Sequence, residues 1–94
     1  MPRRSLAEQI YETTEDLTEE PDTNWLILYD FHGVKPNTRF WANLKRLTKH
    51  DPDSNMIQYS ALKTTSKRVA SSTKKLVEHY GGAVRVFRAE DVEI

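Results

Sequence analysis

The sequence predicts an α+β fold: a ferredoxin-like two-layer sandwich, an antiparallel sheet with two helices on one face. Three observations lead there. Residues 25–31 form one dense hydrophobic stretch, amphipathic helical patterns follow over 38–50 and 66–80, and the order is strand, helix, strand, helix, strand. A chain of 94 residues supports a single modest core. Alternating elements at that size leave room for a small sheet with both helices on the same side.

The elements follow in order. Ser5 and Glu8 stand at capping-box spacing, and Leu6, Ile10, Tyr11 and Leu17 recur at roughly helical intervals, predicting a helix over 5–17. Residues 16–24, acidic and containing Pro21, read as a linker, so 1–24 is expected to be an acidic arm and 25–94 the folded domain. The stretch 25–31 is hydrophobic enough to bury both faces of a central strand. Trp25, Ile27, Tyr29 and Phe31 share one face; Leu26, Leu28, Asp30 and His32 share the other. Gly33, Pro36 and Asn37 make a loop, and Asn37 or Thr38 caps a helix to about His50 with Phe40, Leu44 and Leu47 in one stripe. Residues 51–55 are a turn, and Met56 to about Lys63 reads as one extended run. Thr65 or Ser66 then caps a helix that carries Val69, Thr73, Leu76 and Tyr80 to a stop at Gly81 and Gly82. Residues 83–88 are a further strand, and the alternating 92–94 is expected to extend or join a sheet.

Fourteen basic and fourteen acidic residues cancel overall but not locally. Residues 1–24 carry a net −5, residues 25–88 a net +8 and residues 89–94 a net −3. A basic body between acidic ends suits a polyanion partner and a self-compensating arm, while ordinary solubility charge accounts for the counts equally well. With no cysteine, the chain has no disulfide, thiolate nucleophile or cysteine zinc site, and any metal must take oxygen or imidazole ligands. Glycine stands only at 33, 81 and 82, too sparse for a phosphate-cradling loop. No apolar run approaches a membrane span, and Arg3 and Arg4 precede no signal-type apolar stretch, so a soluble, cytoplasmic protein without a membrane partner is expected.

A two-layer sandwich leaves one sheet face bare, and an apolar face is costly in water. A second copy is the simplest cover, making a homodimer; the N-terminal helix is the competing one. On the helices, Arg39 with Arg46, Lys67 with Lys74 and Arg68 with Lys75 recur at i, i+7, and Lys45 and Lys49 join them. These cations suit the phosphates of DNA or RNA, read by charge and shape, although solvated helix faces carry cations in any small protein. Asn43, Ser71 and Ser72 add short donors. Trp41 and Tyr11 can stack on bases, and core or partner packing accounts for both as well. His50 and His79 complement helix C-termini.

Among the acids of the domain, Asp30 is the one that ends a central strand beside a polar loop. A two-fold axis would set it opposite its copy, pairing two carboxylates around Mg²⁺ or Mn²⁺ for phosphodiester hydrolysis. The plainer role is a cap on a backbone N–H or a pair with a lysine. His32 is a candidate general base beside Asp30, or an exposed loop histidine.

A hydrophobic strand ending Tyr29-Asp30, a basic helix, and then Ile57-Gln58-Tyr59-Ser60-Ala61-Leu62 resemble the CRISPR-associated protein 2 family and its relative, virulence-associated protein D. The strand-terminal Tyr-Asp and the Gln-x-Ser-x-Leu/Phe run are the family's two marks, and the resemblance spans about residues 25–94. It implies a ferredoxin-like homodimer in which 56–65 is a long bent strand usually counted as two and 92–94 a short strand on the neighbouring subunit. Asp30 would face its copy and hold a divalent metal for nuclease activity. The acidic segment 1–24 and Ala61, in place of the usual valine, depart from the pattern. Three readings stand: a metal-dependent endonuclease, a non-catalytic nucleic-acid-binding scaffold, and a protein-interaction module.

Overall fold

The computed structural model describes residues 4–33, 35–90 and 92. In chain order these form α1 (Leu6–Glu12), β1 (Asn24–Asp30), α2 (Thr38–Thr48), β2 (Asn55–Gln58), β3 (Ala61–Thr64), α3 (Lys67–His79) and β4 (Ala83–Ala89). From β1 onward this is a βαββαβ unit. The sheet order is β2-β3-β1-β4 with every neighbouring pair antiparallel, the arrangement of a ferredoxin-like sandwich.

β1 lies between β3 and β4, the central position expected of its dense hydrophobic run. Trp25, Ile27 and Tyr29 point at the helices and join Phe40, Leu44 and Leu47 of α2, Leu62 of β3, and Leu76 and Val77 of α3 in one core. Leu26, Leu28 and Asp30 alternate to the outer face, where Leu26 stands opposite Lys63 and Phe87, Leu28 opposite Ala61 and Arg85, and Asp30 opposite Ala83. α2 starts where Asn37 Oδ1 accepts the Arg39 N–H, and α3 where Ser66 Oγ accepts the Val69 N–H. α3 ends at Gly81, whose φ of +82° favours glycine. Gly82 is small for a different reason: a Cβ there would come within 2.7 Å of Val77 Cγ1 and 2.9 Å of Phe31 Cε1.

The run from Met56 to about Lys63, expected as one strand, is instead a hairpin. β2 and β3 pair about a turn at Tyr59 and Ser60, with Gln58 opposite Ala61. Neither turn residue is Gly, Asn, Asp or Pro, so the reversal has no local signature. β1 holds it: the Tyr29 N–H donates to the Ser60 carbonyl at 3.0 Å and the Tyr29 hydroxyl to the Tyr59 carbonyl at 2.8 Å. Burial pushes the Tyr29 hydroxyl up to about 12, which keeps it a donor. At the other end of the hairpin, buried Asp51 accepts from Thr64 Oγ1 at 2.6 Å and from the Thr65 N–H at 2.7 Å, joining the start of β2 to the end of β3.

α1 stops at Glu12 rather than running to 17. The Thr13 and Thr14 hydroxyls donate back to the Ile10 and Tyr11 carbonyls at 2.6 and 2.7 Å, competing with continuation of the helix. α1 packs on α2 and α3, so it forms a third layer on the helical side and does not cover the outer sheet face. Buried Ala7 donates its N–H to Asn43 Oδ1 at 2.9 Å. The Tyr11 ring lies between the His50 imidazole, parallel at 3.8 Å, and the Arg68 guanidinium, also at 3.8 Å. From residues 16–24, Glu19 accepts the Ser66 hydroxyl and the Lys67 N–H, both at 2.6 Å, and Glu20 bridges Lys67 and Arg88. Apart from Val92, which is in no strand, the terminal strand expected at 92–94 lies outside the described residues.

Candidate nucleic-acid interface and strand-tip site

Asp30 is the last residue of a strand paired on both sides, so its backbone is fixed while its side chain, 72% exposed, stands free at the tip. Oδ1 accepts the His32 N–H at 2.9 Å, and His32 Nδ1 lies 3.9 Å from Oδ2. The structure thus brings the two candidate residues together, but through a turn and not along one strand face. β1 ends at Asp30, and His32 (φ +56°) and Gly33 (φ +80°) both take left-handed backbone. Such a conformation at a non-glycine residue is uncommon and carries strain.

Chemically, the pair offers one carboxylate with lone pairs open to solvent and one imidazole beside it. A hard divalent ion takes about six oxygen ligands. Among the described residues no group of three or more His, Asp or Glu side chains gathers to hold one. One chain alone thus gathers fewer donors at Asp30 than such an ion takes, and a second copy of Asp30 and His32 would double the donor set. Asp51, a buried carboxylate in the turn between α2 and β2, is engaged by Thr64 and Thr65 at the base of the hairpin.

Asp30 borders two clefts. On the outer sheet face it shares one with Leu28, Ala83 and Arg85. On the hairpin side it shares another with Phe31, Pro36, Trp41 and Tyr59. Tyr59 is 85% exposed and meets Trp41 edge to face at 5.7 Å. Sequence reasoning placed neither Arg85 nor Tyr59 at the site. Arg85 reaches it only through its register opposite Leu28, and Tyr59 only because the chain reverses there.

The predicted cations divide into two sets. Arg39, Lys45, Arg46 and Lys49 project from the side of α2 away from the core, and among the described residues none of their side chains has a hydrogen-bond or ion-pair partner. Lys74 of α3 is equally unpaired. The rest of α3 is engaged by the N-terminal segment: Lys67 with Glu20 at 3.1 Å, Arg68 with the Tyr11 ring and carbonyl, and Lys75 with Thr13 Oγ1 at 2.9 Å. Asn43 and Ser72, expected as phosphate donors, are buried against the N-terminal segment, where Asn43 meets the Ala7 N–H in α1 and Ser72 the Thr14 hydroxyl just beyond it. Among the described residues, the predicted cations that stay open are therefore those on the outer side of α2, with Lys74 of α3.

Among the described residues no helix is long and apolar enough to cross a membrane. Compared with known protein families, curated proteins and solved structures, the chain matches none.

Proposed function

We propose that the protein is a nucleic-acid-interacting homodimer of the cytoplasm that cleaves phosphodiesters at paired Asp30 residues, the activity that its resemblance to the CRISPR-associated protein 2 family implies. The observation that carries the reading is the exposed Asp30 carboxylate at a rigid strand tip, closing the outer stripe of Leu26 and Leu28. Leu28 and Phe87 on that face are 40% and 39% exposed. Fully burying a side chain of this size is worth roughly 1.5–3 kcal/mol, so covering the two-fifths still exposed is worth roughly 0.6–1.2 kcal/mol each, which favours a second copy of the same face. An axis passing near the strand tip would then set two Asp30 carboxylates and two His32 imidazoles around one centre. A bound Mg²⁺ or Mn²⁺ would activate water and steady the charge on the phosphate. Asp30 would hold the ion, His32 would orient or accept a proton, and the unpaired cations of α2 would track neighbouring phosphates.

Cleavage of labelled RNA and DNA by wild type and Asp30→Ala, with Mg²⁺, Mn²⁺ or a chelator, tests the reading. Cleavage should require the ion and vanish in the variant; cleavage that persists in Asp30→Ala refutes it. A non-catalytic binding scaffold is the second reading. It is favoured by the bond from the His32 N–H to Asp30, which gives that carboxylate a turn-shaping role of its own. The scaffold predicts salt-steep binding, unchanged by Asp30→Ala, without cleavage.

A further inference from the structure

We infer that the cleft between Trp41 and Tyr59 is a nucleobase subsite, so that the nucleic acid engaged beside Asp30 is an unpaired strand. This rests on the nucleic-acid reading above and names the substrate form that the site accepts. Tyr59 stands at the hairpin tip, and its backbone is pinned from below by the Tyr29 hydroxyl while its ring remains in solvent. An exposed phenol on a fixed backbone is an aromatic platform held ready, with little ordering left to lose on binding. Trp41 meets that ring at 83°, so the two make perpendicular walls, and a flat heterocycle lying on one presents its edge to the other. Phe31 and Pro36 complete the cleft, which encloses about 190 Å³ and has Asp30 on its rim.

The neighbouring grooves decide between a base and some other apolar group. Phe31 and Pro36 also line a groove with Lys35, and Trp41 also lines a groove with Lys45. Cations therefore flank the aromatic cleft on two sides, the alternation of stacking platform and phosphate contact that a single strand requires. A purely apolar ligand would leave both lysines unused. Paired bases in a duplex have their faces covered by their neighbours, so only an unpaired or extruded nucleotide can lie on Tyr59. A base seated there places its own phosphodiester at the Asp30 rim.

Fluorescence anisotropy with full-length protein tests this, using single-stranded and duplex oligonucleotides of equal length and the variants Tyr59→Ala, Tyr59→Phe and Arg39→Ala/Arg46→Ala. Tyr59→Ala should weaken single-strand binding about tenfold with an unchanged salt slope, Tyr59→Phe should restore it, and duplex binding should not move. Single strand should also quench tryptophan fluorescence in wild type. If wild type binds single strand and Tyr59→Ala binds it equally well, or if Tyr59→Ala loses duplex and single strand alike, the base subsite is refuted and the nucleic-acid reading stands. If wild type binds neither oligonucleotide at about 50 mM salt, the nucleic-acid reading falls and the subsite with it.

Discussion

The guanidinium of Arg68 lies 3.8 Å from the centre of the Tyr11 ring, and its Nη2 donates to the Tyr11 carbonyl at 2.8 Å. One α3 cation thereby satisfies a carbonyl at the C-terminal end of α1 and covers its aromatic side chain, with His50 stacked on the same ring. A residue that in the sequence belongs to a phosphate-facing stripe instead fastens the N-terminal helix. Arg68→Ala should cost about 2 kcal/mol of stability, read as a lower urea midpoint at constant slope, with oligonucleotide affinity unchanged. Lost affinity at full stability would return Arg68 to the interface.

The complementary prediction concerns α2. Arg39→Ala/Arg46→Ala removes two unpaired, exposed cations and should leave the urea midpoint within about 0.5 kcal/mol of wild type. The slope of log affinity against log salt should become shallower by roughly 1.5 to 2. An unchanged slope would move the phosphate track elsewhere.

Acid stability depends on Asp51. Burial raises its carboxyl, but hydrogen bonds from Thr64, Thr65 and the Asp53 N–H outweigh burial and hold it at about 2, below the ordinary 3.8. The unfolded chain therefore takes up this proton first. The contribution of Asp51, about 2 kcal/mol, is complete above about pH 5 and is lost as pH falls through 4 toward 2. Asp51→Asn should be less stable than wild type at neutral pH, and the gap should narrow across that window in urea titrations. A constant gap from pH 7 to pH 2 would contradict the assignment.

Gly82 sets the spacing between the end of α3 and the tip of β1. Alanine there would press its Cβ on Val77 and Phe31 and come within 3.1 Å of the Asp30 carbonyl. Gly82→Ala should destabilise by about 1–3 kcal/mol and, through the shifted strand tip, reduce cleavage more than it reduces α2-based binding. Thermal melts and the cleavage assay together distinguish this from a neutral change.

Leu28→Asp places a charge on the outer sheet face, which no helix among the described residues covers. On the proposed homodimer, sedimentation should show a dimeric wild type and a monomeric variant, with the proposed cleavage lost and monomer stability within about 1 kcal/mol of wild type. A wild type that sediments as a monomer, or a variant that remains dimeric, would remove the two-fold axis from this face.

The sequence by itself determined the architecture. The 25–31 stretch predicts a central strand and the stripes of α2 and α3 face it; of the caps offered, Asn37 or Thr38 and Thr65 or Ser66, the structure uses Asn37 and Ser66, and α3 stops before Gly81. Those signals are local, set by side-chain period and by the backbone preferences of caps. The strand-tip position of Asp30 and the outward placement of the α2 cations were legible for the same reason. Tertiary structure alone decided the Tyr59-Ser60 reversal, the early end of α1, the burial of Asn43 and Ser72, and the use of Arg68 and Lys75 to seat the N-terminal segment. Each of these depends on a partner distant in sequence. Periodicity shows that a residue faces outward from its own helix, but whether it meets water or another part of the chain depends on how the elements pack.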